Sequence, residues 1–225
     1  GAIPGLTRAT EFRQPGGVVG FIVPWNYPIT LAVTDALPAL VAGNAVLVKP
    51  DHQTSLTALW LVALLREAGL PRDVLAVVTG EGPELGPSIV GGVDFVMFTG
   101  STATGRIIAR QAADRLIGCS LELGGKNPMV VLPDADLDAA VAGLVRGAFV
   151  GAGQVCVSIE RLYAPRALLA PFVERVVAGT RALRLGPALD YSTDVGSLAS
   201  QRQLDTVVRH VSDARAKGAR ILVGG

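Results

Sequence analysis

Cysteine, histidine and aromatic residues are scarce in this sequence. The 225 residues include 2 cysteines and 2 histidines, and 5% of the side chains are aromatic. Two cysteines without a repeating spacing argue against a disulfide-stapled secreted domain. They are typical of a protein that works in a reducing compartment. We therefore predict a cytoplasmic location, and we predict no metal site.

The sequence also lacks an excess of charge of either sign. Its net charge is +1, and no block of basic residues occurs, so neither nucleic acid nor an anionic membrane is expected as a partner. The most apolar stretch, 29–48, is interrupted by Asp35, Pro38, Gly43 and Asn44, which argues against a membrane span. Residues 1–14 carry no signal-peptide core.

Small apolar residues are abundant, and 50% of the chain is hydrophobic. Apolar runs that resemble buried strands alternate with amphipathic runs that resemble helices, which is typical of a doubly wound, mostly parallel α/β sheet. Strands are predicted within 16–24, 45–50, 74–80, 93–100, 120–125, 127–132 and 220–225. Helices are predicted within 26–44 (kinked at Pro38), 54–71, 82–92, 101–115, 134–153, 166–186 and 199–219.

A domain boundary is predicted near residue 123. Gly124 and Gly125 follow the apolar run that contains Glu122, and paired glycines are suited to a hinge. Residues 1–123 and 124–225 would then form two domains.

Cys156 lies in "GAGQVC", where turn-forming residues favour an exposed thiol. A thiol in such a place can be a nucleophile. Neither His52 nor His210 is near it in sequence. The alternative is a small buried side chain, which is also what we predict for Cys119.

Glu122 lies in the apolar run "LELGG". A carboxylate in a strand of this kind must be paired, solvated by a cleft or shifted in pKa. It could therefore serve as a general base, or it could form a structural salt bridge with Lys126. The sequence leaves both possibilities open.

Lys49 ends the strand "AVLVKP", at the edge where open α/β sheets bind ligands. It could hold a ribose or a phosphate, or it could be a solvated lysine. Asn26 lies in the proline-bracketed turn "PWNYP" and could donate to an oxyanion or cap the next helix. The stretch "FTGSTATGR" could bind phosphate at a helix N-terminus or be a capped helix that binds nothing.

Taken in order, these stretches resemble the aldehyde dehydrogenase family. The matching motifs are "PWNYP", "LPALVAGNAVLVKP", "FTGST", "LELGGKNP" and "GQVC" with the following "IER". They run from about residue 15 to the end. The sequences "GKNPMVV" and "CVSIERLY" are most similar to those of the succinate-semialdehyde dehydrogenase branch.

The resemblance implies a fold and a mechanism. A Rossmann-like cofactor domain (1–123) would begin with a fragment of the oligomerisation strands (1–14), and residues 124–225 would begin the catalytic domain. Cys156 would attack the aldehyde and form a thioester. Asn26 and the Cys156 backbone N–H would hold the oxyanion, and Glu122 would activate the hydrolytic water. The cofactor, NAD or NADP, would be held by Pro24, Trp25, Lys49, His52, Gly100, Ser101, Gly105, Glu122 and Leu123.

Within that resemblance, Lys49 would hold the adenosine ribose, and Gly100 and Ser101 would approach the pyrophosphate and nicotinamide region. The substrate would be a small aldehyde. The whole protein would be a homo-oligomer, a dimer or a tetramer.

Three departures from the family pattern carry information. His52 stands where many NAD-preferring members have a glutamate, which favours NADP because a carboxylate there repels a 2′-phosphate. The helix after "PWN" lacks the arginine that some succinate-semialdehyde enzymes use to grip the substrate carboxylate. Upstream of Cys156, Arg146 is the only candidate for that role. Family members are also considerably longer than this chain.

Two alternatives remain open at this point. One is an acylating reductase of the same fold, although such relatives commonly lack the base that Glu122 would provide. The other is a non-catalytic fragment or an oligomerisation module.

Overall fold

The computed structural model describes residues 3, 6, 10–33 and 35–224. It divides the chain into two compact units, Gly1–Leu123 and Gly124–Gly225. In the described part of the chain, no helix has the length and apolar character needed to cross a bilayer.

The first unit is built on a five-stranded, fully parallel sheet with the strand order β3-β2-β1-β4-β5. Its strands are β1 (Val18–Ile22), β2 (Ala45–Lys49), β3 (Leu75–Val77), β4 (Phe95–Gly100) and β5 (Gly118–Leu123). The chain runs outwards from β1 through β2 to β3, then returns to the other side of β1 with β4. This order confirms the predicted doubly wound α/β class.

Helices cover both faces of this sheet. Adjacent residues of β1 point to opposite faces, so they pack against different helices. Phe21 contributes to a buried cluster with α1, α2 and α3, whereas Ile22 contributes to one with α4 and α5. The helices are α1 (Pro28–Val33), α2 (Ala36–Val41), α3 (Ser55–Glu67), α4 (Gly82–Gly92) and α5 (Thr102–Asp114), and a 3₁₀ turn occupies His52–Thr54.

The second unit has a smaller parallel pair, β6 (Asn127–Val130) and β7 (Ile159–Tyr163). Three helices accompany it: α6 (Leu137–Phe149), α7 (Arg166–Arg181) and α8 (Gln201–Ala216). Its core is built around Phe172, which is fully buried with Val131 and Leu144. A 3₁₀ turn, Val150–Gly153, follows α6.

Three details differ from the sequence prediction. The break in the first helical stretch lies between Val33 and Ala36 and not at Pro38. Pro38 lies in the first turn of α2, where a backbone N–H has no helical partner, so a proline causes no kink there. β7 was missed because charged residues interrupt its apolar pattern. The strand predicted within 220–225 is wrong for residues 220–224, which form no ladder.

The predicted oligomerisation strands at 1–14 are only partly visible. The described residues there, 3, 6 and 10–14, are not in a strand. The other residues of that segment lie outside the described residues.

Candidate functional site

The predicted cofactor residues of the first unit lie at one edge of its sheet. Parallel strands end on the same side. Here β2, β4 and β5 end at the predicted residues Lys49, Gly100 and Leu123, and β1 ends two residues before Pro24. Ile22 pairs with both Lys49 and Phe98, and Gly100 pairs with Leu123. The direction of the strand order reverses between β1 and β4, and this is the position where open α/β sheets bind ligands.

Lys49 is buried at this edge, with 4% of its surface exposed. A Cβ placed on Gly82, the first residue of α4, would lie 4.0 Å from Lys49 Nζ. No described residue forms a hydrogen bond or an ion pair with that ammonium group. The alternative of a solvated lysine is therefore wrong. A buried, unpaired cation beside a helix N-terminus is a place suited to an anion.

His52 is 51% exposed on its side chain and faces two carboxylates. Its Nδ1 lies 3.5 Å from Asp51 Oδ1 and 3.5 Å from Glu81 Oε1. Glu81 immediately precedes α4. This contact could not be predicted from the sequence, because the adjacent ends of β2 and β3 bring Glu81 and His52 together.

The β4–α5 turn has the capped geometry that the sequence offered as one alternative. Ser101 Oγ accepts a hydrogen bond from the Thr104 backbone N–H at 3.2 Å. Gly105 is buried, and a Cβ there would lie 2.7 Å from Leu123 Cδ2. The absence of a side chain at Gly105 thus lets α5 approach the end of β5 closely.

Pro24, Trp25 and Asn26 follow β1 at the same edge and are half-buried. They occupy the short connection before α1, which begins at Pro28. Asn26 therefore lies on a short connection between Pro24 and Pro28.

Glu122 is the penultimate residue of β5 and pairs with Thr99 of β4. Its side chain is exposed and forms no hydrogen bond or ion pair with any described residue. Lys126, the salt-bridge partner considered from the sequence, is instead paired with Glu160 of its own unit. Glu122 is therefore not held in a structural ion pair with the described residues.

Asp35 is the charged neighbour of Glu122 that the sequence did not reveal. Burial, and then the negative charge of Glu122, raise the pKa of the Asp35 carboxyl above its ordinary value. Asp35 lies at the junction of α1 and α2. A second carboxylate therefore contributes to the field at Glu122.

Because the folded-state pKa of Asp35 is raised, its contribution to stability is fully present below the unfolded-state value of 3.8. That contribution is lost as the pH rises through the folded-state pKa. We expect Asp35→Asn to raise the free energy of unfolding at pH 7 by about 0.5 kcal/mol, and we expect the gain to vanish in acid. Urea unfolding of the parent and the variant, each as the whole protein, at pH 7 and in acid measures this difference in the free energy of unfolding.

Asp134→Asn, at an exposed aspartate without a described partner, is the control for this measurement. An Asp35→Asn variant that is equally or less stable than the parent at pH 7 would contradict the sign.

Cys156 belongs to the second unit and lies in the connection between the 3₁₀ turn after α6 and β7. It is a free, exposed thiol. The Ser158 N–H donates to the Val155 carbonyl at 3.0 Å, so Cys156 is the first central residue of a four-residue turn. The buried-side-chain alternative is wrong for this cysteine.

The prediction for Cys119 was also wrong, because this thiol is exposed. Cys119 lies on β5, an outer strand of the sheet, which among the described residues has β4 as its single hydrogen-bonded neighbour. Exposure by itself therefore does not distinguish the two cysteines.

Arg146, the candidate for gripping a substrate carboxylate, lies in the last turn of α6. Its side chain is exposed and has no hydrogen-bond or ion-pair partner among the described residues. It lines a surface groove together with Phe149, Val150 and Thr193.

Comparison with known proteins identifies the family to which this chain belongs. The model of the aldehyde dehydrogenase family matches residues 4–225. A protein of Mycolicibacterium smegmatis named "Putative succinate-semialdehyde dehydrogenase (NADP+)" is 51% identical over 225 residues, which cover 100% of this chain and 44% of that protein. A Mycobacterium tuberculosis H37Rv protein of the same name, numbered 2, is 51% identical over 223 residues, 99% of this chain and 43% of that protein.

Solved structures give the same result. The betaine aldehyde dehydrogenase of Staphylococcus aureus in complex with NAD+ superposes with a TM-score of 0.90 at 35% identity, covering 93% of this chain and 42% of that one. The NAD+ complex of a Bacillus cereus aldehyde dehydrogenase gives 0.88 at 37% identity, covering 94% and 43%. This chain thus spans less than half the length of the relatives it matches. It belongs to the aldehyde dehydrogenase family.

Proposed function

We propose that the whole protein oxidises an aldehyde to the carboxylate with NADP or NAD. The observation that carries the proposal is that Cys156 is a free, exposed thiol while Glu122 is exposed and unpaired among the described residues. Family membership supports the same reaction, because aldehyde dehydrogenases are the relatives at every level of comparison.

In the proposed reaction Cys156 is the nucleophile. Its thiol first gives its proton to solvent. The resulting thiolate attacks the aldehyde carbon, and the carbonyl oxygen becomes an oxyanion. The Asn26 amide and the Cys156 backbone N–H donate hydrogen bonds to that oxygen. Loss of hydride from the same carbon then leaves a thioester on Cys156.

Glu122 is the proposed general base for hydrolysis. Its carboxylate accepts a proton from a water molecule that attacks the thioester carbon, and the C–S bond breaks. The acid product gives its remaining proton to solvent and leaves as the carboxylate, with the thiolate of Cys156 restored. An acylating enzyme needs no such base, so Glu122 favours hydrolysis over transfer to another acceptor.

The first unit is the proposed cofactor domain, and 124–225 is the proposed start of the catalytic domain. The described residues fit a nicotinamide dinucleotide, because Lys49 offers a buried cation at the edge where such ligands bind. The cofactor, when bound, supplies the hydride acceptor. Lys49, with Pro24, Trp25, Gly100, Ser101, Gly105 and Leu123 along the edge, would hold and orient it.

NADP is the proposed preference. The two mycobacterial relatives carry NADP in their names, and His52 stands where a carboxylate would repel a 2′-phosphate. Asp51 and Glu81 face His52 and oppose a second anion there. The preference therefore rests chiefly on Lys49, a buried residue whose ammonium group has no partner among the described residues.

Succinate semialdehyde is the proposed substrate, on the strength of the relatives' names. Arg146 is the available cation for its carboxylate, since no arginine occurs in the described part of α1 and α2.

Steady-state kinetics of the whole protein test the activity, the cofactor and the substrate separately. We expect kcat/KM to be about tenfold or more higher with NADP than with NAD, which corresponds to about 1.4 kcal/mol. We also expect kcat/KM to be higher for succinate semialdehyde than for butanal, an uncharged aldehyde with the same number of carbon atoms. A preference for NAD rejects the cofactor proposal, and equal kcat/KM for the two aldehydes rejects the substrate. No cofactor reduction with any aldehyde rejects the reaction.

A further inference from the structure

The turn that carries Cys156 is fastened to β6 by one side chain. Asn127 Nδ2 donates to the Cys156 carbonyl at 2.7 Å and to the Ser158 carbonyl at 3.0 Å. A carboxamide nitrogen carries two protons, so both are used on this turn. Among the described residues, Asn127 is the one side chain that hydrogen-bonds to the backbone of Cys156.

Asn127 is placed for this task by the parallel pair of the second unit. It begins β6 and pairs with Ile159, the first residue of β7, and the register shifts between Asn127 and Pro128. A register shift of this kind redirects a side chain locally. Here the register shift occurs at Asn127. The Asn127 carboxamide hydrogen-bonds to the turn that precedes β7 and not to a residue within β7.

The two ends of the connection have their own anchors. Ser158 is 4% exposed, and its hydroxyl lies within hydrogen-bond distance of the Ala148 carbonyl at 3.1 Å, at the end of α6. At the other end, Gln154 Nε2 donates to the Gly151 carbonyl, and Gln154 Oε1 accepts from the Ala199 N–H. In the middle of the connection, the turn at Cys156 and Val157 is closed by the Ser158–Val155 backbone hydrogen bond and receives its side-chain hydrogen bonds from Asn127.

We propose that Asn127 is a positioning residue that holds the Cys156 turn in the conformation from which the thiol reacts. Fixing the Cys156 carbonyl restricts rotation about its Cα–C bond, because the peptide group is planar. The direction of the side chain relative to the following backbone is thereby set. The proposal rests on the proposed role of Cys156 as the nucleophile.

Asn127→Ala removes both donors and lets the turn sample other conformations. If the reactive one is then populated about a tenth of the time, rates that depend on it fall about tenfold. Asn127→Asp keeps the shape but turns an acceptor towards two carbonyls, so a larger loss is expected. In the whole protein, kcat per titrated Cys156 thiol should fall in both variants while the Kd for NADP, measured by calorimetry, stays within about twofold.

The rate of alkylation of Cys156 by iodoacetamide, followed by mass spectrometry of its peptide, provides a second readout that needs no aldehyde. It should fall in the same order, with the rate at Cys119 unchanged. Asn44→Ala is the matched control, because Asn44 also clamps a loop, accepting from the Gly16 and Gly17 N–H groups and donating to the Ala39 carbonyl. The Asn44→Ala substitution should lower the free energy of unfolding and leave kcat per thiol and the alkylation rate at Cys156 unchanged.

The proposal is overturned if both Asn127 variants keep wild-type kcat per thiol and wild-type alkylation rates, or if Asn44→Ala lowers them equally. Failure of the proposed function has a different signature. In that case the wild-type protein oxidises no aldehyde, yet the alkylation rate at Cys156 still depends on Asn127.

Discussion

Replacing Cys156 by alanine should abolish aldehyde oxidation by the whole protein, with a fall in kcat of about 10⁴-fold or more. The thiol forms the covalent bond through which the proposed reaction passes, and no other described group can take that place in the turn. Because Cys156 is exposed, its removal leaves no cavity, and the fold should be retained. The reduced cofactor formed per unit time measures the effect.

Cys119→Ser is the matched control for this experiment, since Cys119 is likewise free and exposed. It should keep nearly full activity. Iodoacetamide will reach both thiols, but inactivation should follow the modification of Cys156 alone. Activity of Cys156→Ala above about a tenth of wild type, or loss of activity in Cys119→Ser, would contradict the assignment of the nucleophile.

Replacing Glu122 by glutamine should slow turnover by about 10² to 10⁴-fold, which is the range for loss of a general base. The amide is similar in size but cannot accept the proton of the attacking water. If its role is confined to hydrolysis, the first turnover survives. Rapid mixing should then show a burst of reduced cofactor equal to the concentration of active thiols, followed by a slow steady state.

The thioester should accumulate in Glu122→Gln, so intact-mass measurement after mixing with aldehyde should show an acyl group on the Cys156 peptide. Glu67→Gln, at an exposed glutamate at the end of α3, is the control and should behave as wild type. Full steady-state turnover in Glu122→Gln would show that Glu122 is not the general base. A rate loss without a burst would show that Glu122 also serves the step before hydrolysis.

Much of the first unit could be predicted from local pattern. Each strand of the large sheet is an apolar run closed by proline, glycine or a polar residue, and such runs are legible because a parallel sheet is covered on both faces. β7 escaped because its "IERLY" carries charges in a strand of the small two-stranded sheet. The predicted strand within 220–225 failed in its described residues because an apolar run becomes a strand only beside a hydrogen-bonded partner.

The sequence by itself determined the fold class and the family, and it supplied the candidate reactive groups, because these depend on residue type and order along the chain. The tertiary structure alone decided which groups are buried, paired or held. It buried Lys49, joined Lys126 to Glu160, brought Asp35 into the field of Glu122 and set Asn127 against the carbonyl of Cys156. Those contacts join residues that are distant in sequence, and their geometry follows from strand register and helix packing. For the same reason, a thiol such as Cys119, expected to be buried from its type, is exposed on an edge strand.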